Sequence, residues 1–248
     1  RQRDGEAHAV GDAALDLIEQ LTFALVRAGH AEVAFALLCH RLGGFQHLVL
    51  HLGRPRRLLA VLRHLYPALA APALGSPRWR RRYALLLLWE TESLRLLGQL
   101  DAALVTAQRQ WPLGSGPLPG SLLRQARLHR MSGRLQLAEE LLTVAQQRAA
   151  TASERAQAAI EMAALMLWRG DAAISLVHLR DAESSLREQP GLLRQRLDGI
   201  SLGAWLLRVH ARRALRLGDV TAARALLAVA AADDLRENTR HRYEAKRP

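Results

Sequence analysis

The chain has 248 residues, half of them hydrophobic and only 4% aromatic, with a formal charge of +12. Its apolar content is mostly Ala and Leu, both good helix formers, and β-branched residues are sparse, which argues against sandwiches and barrels. No run of about 18 apolar residues occurs, so no membrane-spanning helix is expected. Cys39 is the only cysteine, which excludes an intrachain disulfide and fits a cytoplasmic location.

The elements come as helical hairpins punctuated by glycine. Residues 1–66 read as N-terminal hairpins, with Gly29 and Gly53 as helix stops. Residues 67–77, with three prolines and a glycine, read as a linker that breaks the helices. A hairpin over 78–111 turns at Gly98, and a Pro/Gly loop follows at 112–120. Further hairpins over 121–237 turn at Gly133, Gly170 and Gly218, with a gentler break at Gln189-Pro190-Gly191. The polar stretch 238–248 reads as a frayed tail. Opening on Arg1-Gln2-Arg3, the sequence reads as a piece of a longer chain.

The six glycines share a register. Five residues on stand Ala34, Leu58, Ala103, Ala138, Ser175 and Ala223; nine on stand Leu38, Leu62, Ala107, Leu142, Leu179 and Leu227. The mostly small residue at the fifth position lets two helices approach closely. The position at nine packs against the next hairpin, and such edges force the hairpins to stack. The spacing is 35 residues from Gly98 to Gly133 and 37 from Gly133 to Gly170, close to the period of about 34 of tetratricopeptide repeats. The spacings of 24, 45 and 48 at the other steps imply a shortened hairpin and inserted loops.

Over residues 13–232 this pattern resembles the tetratricopeptide repeat family, departing from it in the scarcity of the Leu-Gly pair and of the first-helix Tyr. The resemblance implies an all-α, right-handed superhelical stack of about six antiparallel hairpins. Residues 41–67 also resemble the helical segment that follows the nucleotidase module of some bacterial STAND proteins, signalling ATPases in which such repeats form the sensor. That resemblance implies a sensor or scaffold region, with the ATPase elsewhere.

Nothing in the sequence encodes catalysis. The only lysine, Lys246, stands two residues from the C-terminus, so neither a P-loop nor a Schiff-base lysine is expected. Gly114-Ser115-Gly116 lacks the nucleophile-elbow form. Glu139-Glu140 and Asp233-Asp234 are adjacent pairs, which diverge on a helix. His47 and His51, four apart, share a helical face, with His40 and Cys39 nearby, but no carboxylate stands at useful spacing and they read as ordinary helix histidines. The expectation is a chain with no catalytic residue, no metal and no cofactor.

The binding expectation rests on the tetratricopeptide resemblance, in which the first helix of each hairpin lines a concave surface. It places Glu92, Arg95, Arg127, Arg130, Arg208 and Arg212 in that groove, with Trp168 and Trp205 near it. Arginine forks suit carboxylates and phosphates, so the implied partner is a protein or an acidic peptide. The alternative is a nucleic acid, for which Arg78, Trp79, Arg80, Arg81 and Arg82 form a second basic patch. Solvated surface charge in an arginine-rich chain accounts equally for these arginines. Trp79 could instead plug the joint between hairpins. An uncapped terminal hairpin would leave a face for a homo-oligomer.

Overall fold

A computed structural model describes residues 11–109, 119–194, 196–197 and 200–244, apart from the side chains of 71–74, 194–200 and 233–244. The fold is all-α, with neighbouring helices packed on one another within each of two compact units, residues 1–115 and 116–247. Among the described residues, no helix is long and apolar enough to cross a membrane.

Unit 1 contains α1 (Asp12–Arg27), α2 (Ala31–His40), a π-helical turn (Gln46–His51), α3 (Pro55–Gly75), α4 (Pro77–Leu96) and α5 (Leu100–Gln108). Helices α1 with α2, α3 with α4, and α4 with α5 pack as neighbours. Their core gathers Leu15, Leu38, Leu42, Leu58, Leu62, Leu65 and Leu86. Unit 2 contains α6 (Pro119–Met131), α7 (Leu135–Arg148), α8 (Ala152–Arg169), α9 (Ala172–Glu188), α10 (Leu202–Arg216) and α11 (Val220–Glu244). Here α6 packs on α7, α8 on α9 and α10 on α11, and α8 also touches both α6 and α10.

The glycine register is real in the backbone. All six anchor glycines have positive φ, from 66° at Gly53 to 90° at Gly170, a region where a Cβ is disfavoured. At five of them the residue after the glycine donates its N–H to the carbonyl five residues earlier, as in the Schellman motif. These bonds are His30 to Leu25 at 2.8 Å, and Gln99 to Leu94, Arg134 to His129, Asp171 to Met166 and Asp219 to Ala214, all at 2.9 Å. Gly53 differs because it ends the π-helical turn, and there Arg54 reaches back six residues to Leu48 at 2.7 Å.

The fifth position after every anchor is closed to solvent: Ala34, Leu58, Ala103, Ala138, Ser175 and Ala223 are at most 1% exposed. The ninth position is buried everywhere except Leu227, 44% exposed on the last helix. Side-chain caps set the helix starts that follow. Asp171 accepts from the Ile174 N–H at 2.8 Å and Asp219 from the Ala222 N–H at 2.9 Å. Thr151 and Glu154 form a reciprocal capping box at the start of α8.

Three expected boundaries are corrected. The stretch 67–77 is not a linker, because α3 continues to Gly75 and α4 starts at Pro77. The break is confined to Ser76, which is extended, and Pro77 sits at a helix start, where its missing N–H costs nothing. Helix survives at Pro67 because its flanks are Ala and Leu, Leu65 and Leu69 are fully buried, and Pro67 itself is exposed. Water can there satisfy the carbonyl that proline orphans. The 45-residue step from Gly53 to Gly98 therefore holds two long helices and not an inserted loop. The boundary at 237 also moves, since α11 runs on to Glu244; no Gly or Pro interrupts it before Pro248. Of the 112–120 loop, Pro119 and Gly120 open α6 and the remainder lies outside the described residues, as do residues 1–10 and 245–248. The 48-residue step from Gly170 to Gly218 does contain an insertion. It holds a 3-10 turn (Pro190–Arg194) and a two-residue antiparallel pairing of β1 (Arg196–Leu197) with β2 (Ile200–Ser201).

Candidate ligand-binding face

Helices α6, α8 and α10, the first helices of the three hairpins in unit 2, bring together an arginine cluster. On α6, Arg127 and Arg130 stand one turn apart. On α10, Trp205, Arg208 and Arg212 follow at i, i+3 and i+7, one helical stripe. Between them, on α8, is Glu161, 1% exposed in a helix whose residues from Ala156 to Trp168 carry no other charge.

Glu161 is the pivot. Arg127 Nε donates to its Oε1 at 2.5 Å and Arg130 Nη2 donates to its Oε2 at 2.9 Å, so each oxygen takes one guanidinium. Burial alone would push this carboxyl up. The charges of Arg127 and Arg130, and the hydrogen bonds both donate, outweigh burial and hold it below the ordinary carboxylate range. The arginines then spread onto the tryptophans. The Arg127 guanidinium lies 4.9 Å from the Trp205 ring centre and that of Arg130 5.9 Å from Trp168, both within cation–π range. Arg127 thus joins all three helices through one side chain.

Arg212 is exposed as a residue, yet desolvation at the crowded face and the neighbouring guanidiniums of Arg130, Arg208 and Arg127 hold its own guanidinium below the ordinary range, against the pull of Glu161. Three arginines and one buried carboxylate thus bear on Arg212 at this face. Helix α10 is fixed from behind: Arg213 Nε donates to the Ala172 carbonyl at 2.9 Å, and His210 meets Glu183 at 3.0 Å, both on α9.

The structure divides the expected groove residues. Arg127, Arg130, Arg208, Arg212 and Trp168 come together in unit 2, with Trp168 half exposed. Glu92 and Arg95 belong to unit 1, where Arg95 Nε donates to Glu92 at 2.6 Å. Glu92 is 1% exposed, so its expected place on an open surface is corrected: it is a buried counter-ion. Glu161 was absent from the expectation. Its signal was a lone carboxylate in a 13-residue uncharged run, about one repeat from Arg127.

The second basic patch is partly committed in unit 1. Arg78 and Arg82 reach Glu32 on α2 at 2.8 and 3.0 Å, which offsets their unfavourable place at a helix start. The Arg82 guanidinium stacks on Trp79 at 4.6 Å and on Phe35 at 5.1 Å, and Trp79 packs against the unit 1 core. Arg80 and Arg81 are exposed. The His47 and His51 rings meet edge to face at 5.9 Å, and no group of three potential metal ligands occurs among the described residues. Glu139 is paired with Arg169 at 2.6 Å; the Asp233-Asp234 side chains and Gly114-Ser115-Gly116 lie outside the described residues.

No known protein family and no curated protein matches the chain.

Proposed function

We propose that the chain is a non-enzymatic binding module that recognises an acidic segment of a protein partner on the α6–α8–α10 face. The observation that carries this reading is the arginine cluster itself. Arg127 and Arg130 clamp one buried carboxylate and lie over two tryptophans, and Arg208 and Arg212 follow on the Trp205 stripe of α10, which supports a surface for a negatively charged and partly apolar ligand. The repeated glycine turns and buried small residues support a stack of the tetratricopeptide type. In this reading it is right-handed, has about six hairpins, and serves as the sensor or scaffold of a larger STAND-type bacterial signalling protein.

Charge reversal at Arg127 or Arg130 would strip Glu161 of its partners and confuse binding with folding. The informative variant is therefore Arg208→Glu/Arg212→Glu. Capture from host lysate and a synthetic Glu-rich peptide are the two probes, each compared between wild type and variant. The reading requires a nuclease-resistant protein, and the peptide, to bind wild type and be lost from a still-folded variant. Retention by the variant would overturn it. A second reading, nucleic-acid binding, is favoured by the same arginines together with the exposed Arg80 and Arg81. Capture of nucleic acid alone, weakened steeply by salt, would establish it instead.

A further inference from the structure

The first and last described helices both turn an apolar stripe to solvent, and we propose that these stripes join. Helix α11 of one copy of the chain takes α1 of a second copy as its neighbour, a head-to-tail contact. Neither helix belongs to the α6–α8–α10 face. Unit 2 shows what covers the second helix of a hairpin. Leu142, nine residues after Gly133, lies in one apolar cluster with Ala158, Met162 and Leu165 of α8. Leu179, nine residues after Gly170, lies in another with Leu202, Leu206 and Val209 of α10. Each covering helix is the first of the following hairpin, and each presents apolar residues at i, i+4 and i+7, one helical face.

On α11 the equivalent surface has no such neighbour among the described residues. Leu227, at nine, is exposed. So is Val220, at two, a position that is half-buried after each of the other five anchor glycines. Val220, Arg224, Leu227 and Ala231 follow at i, i+4, i+7 and i+11, one stripe of exposed residues. Arg224 is the one charge from Val220 to Ala232, and a helix so apolar around its girth is ordinarily buried.

Helix α1 carries the surface that fits. Leu17, Leu21 and Ala24 are exposed, the two leucines by 67% and 48%. They stand 12, 8 and 5 residues before Gly29, the places that Ala158, Met162 and Leu165 hold before Gly170. Helix α1 therefore turns to solvent the same register of apolar residues that α8 lays on Leu142. Charge selects this pairing over α11 on α11. Two copies of α11 would bring Arg224 against its own like, whereas Asp16, beside Leu17 and more than half exposed while bound to Arg57, brings the opposite sign. A contact between unlike surfaces of one molecule is heterologous, so it repeats from copy to copy until it closes on itself.

The test is sedimentation velocity of the whole chain with two variants. Leu17→Glu/Leu21→Glu blocks the α1 stripe, and Val220→Glu/Leu227→Glu blocks the α11 stripe. All four sites are exposed, so circular dichroism melts should match wild type. Leu17→Gln/Leu21→Gln and Val220→Gln/Leu227→Gln take their place if a charged variant melts early. A contact of one helix on another is small, so self-association is sought between about 1 and 100 µM. The mass of wild type should rise with concentration across that range. Each variant alone should associate about a hundredfold more weakly, from two side chains worth about tenfold each. An equimolar mixture of the two should form a one-to-one dimer and stop there, because each supplies the face that the other lacks. A wild type that stays monomeric throughout would overturn the proposal, and so would a mixture that gains nothing over its components. Undiminished association of the α1 variant by itself would also overturn it, and would assign the joint to α11 on α11. Undiminished association of the α11 variant by itself would overturn it in favour of α1 on α1.

Discussion

Replacing Glu161 with Gln should destabilise unit 2 by about 3 kcal/mol. Breaking a buried ion pair by removing one partner costs about 3–5 kcal/mol, because the other charge is left without compensation. Here two guanidiniums lose the same counter-ion. The Arg130 side chain is only 7% exposed, so it recovers little from water, while Arg127 at 18% recovers more, which places the loss near the lower end. Gln preserves the volume and one carbonyl acceptor, so the change reports charge and not a cavity. For a unit of this size the loss corresponds to a fall in Tm of about 10 °C. Urea denaturation followed by circular dichroism measures it directly.

The pH dependence supplies the sign. The folded pKa of Glu161 lies below its ordinary 4.5, so its stabilising contribution is fully present above that value and is lost as pH falls through the folded one. The gap between wild type and variant should therefore be constant from neutral pH down to about 5.5 and close progressively below about 4.5. A variant within about 0.5 kcal/mol of wild type at pH 7, the range of ordinary surface substitutions, would refute the clamp. So would a gap that persists unchanged in acid.

Gly44 has φ +52°, and a Cβ there would sit 2.5 Å from the Trp89 indole; Gly44→Ala should cost about 2–3 kcal/mol and shift tryptophan emission, and an unperturbed melt would contradict it. Thr151→Ala removes the capping box of α8 and should cost about 1 kcal/mol in urea titration. Burial pushes the Cys39 thiol up to about 11 despite the nearby charge of Arg82, so at pH 8 a disulfide reagent should label it about a hundredfold more slowly than free cysteine. Rapid stoichiometric labelling would show that the thiol is open. The triple variant Arg127→Met/Arg130→Met/Glu161→Leu should stay folded, near wild-type stability, and lose the Glu-rich peptide, as read by thermal melts and peptide titration.

The repeat was legible because it is written in residues that backbone geometry constrains. Glycine best suits the positive φ of each turn, and a small residue such as Ala138 or Ser175 stands at five of the six buried fifth positions, Leu58 being the exception, so spacing located both. Proline misled because its effect depends on burial. Pro67 on an exposed helix face, between buried Leu65 and Leu69, is carried through by tertiary packing that a local reading does not see. The candidate face was half legible for a related reason. Helical register placed Arg127, Arg130, Arg208 and Arg212 on one side of their helices. It could not show which arginines already have a counter-ion, since Glu161 reaches Arg130 from 31 residues away and Arg82 is held by Glu32 across 50. Pairing at that distance is decided by the stack.

That pairing bears on why the cluster exists. An ion triad buried between helices is a poor way to gain stability, since desolvating three charges consumes most of their attraction and well-packed apolar side chains would hold α6 to α8 equally well. The neighbours already do so: Leu122, Leu123, Ala126, Met162 and Leu165 form a continuous apolar core beside it. Stability alone therefore gives only a weak reason for the clamp. In the proposed reading the clamp serves recognition, because it holds Arg127 and Arg130 in fixed positions on the face that an acidic segment would meet.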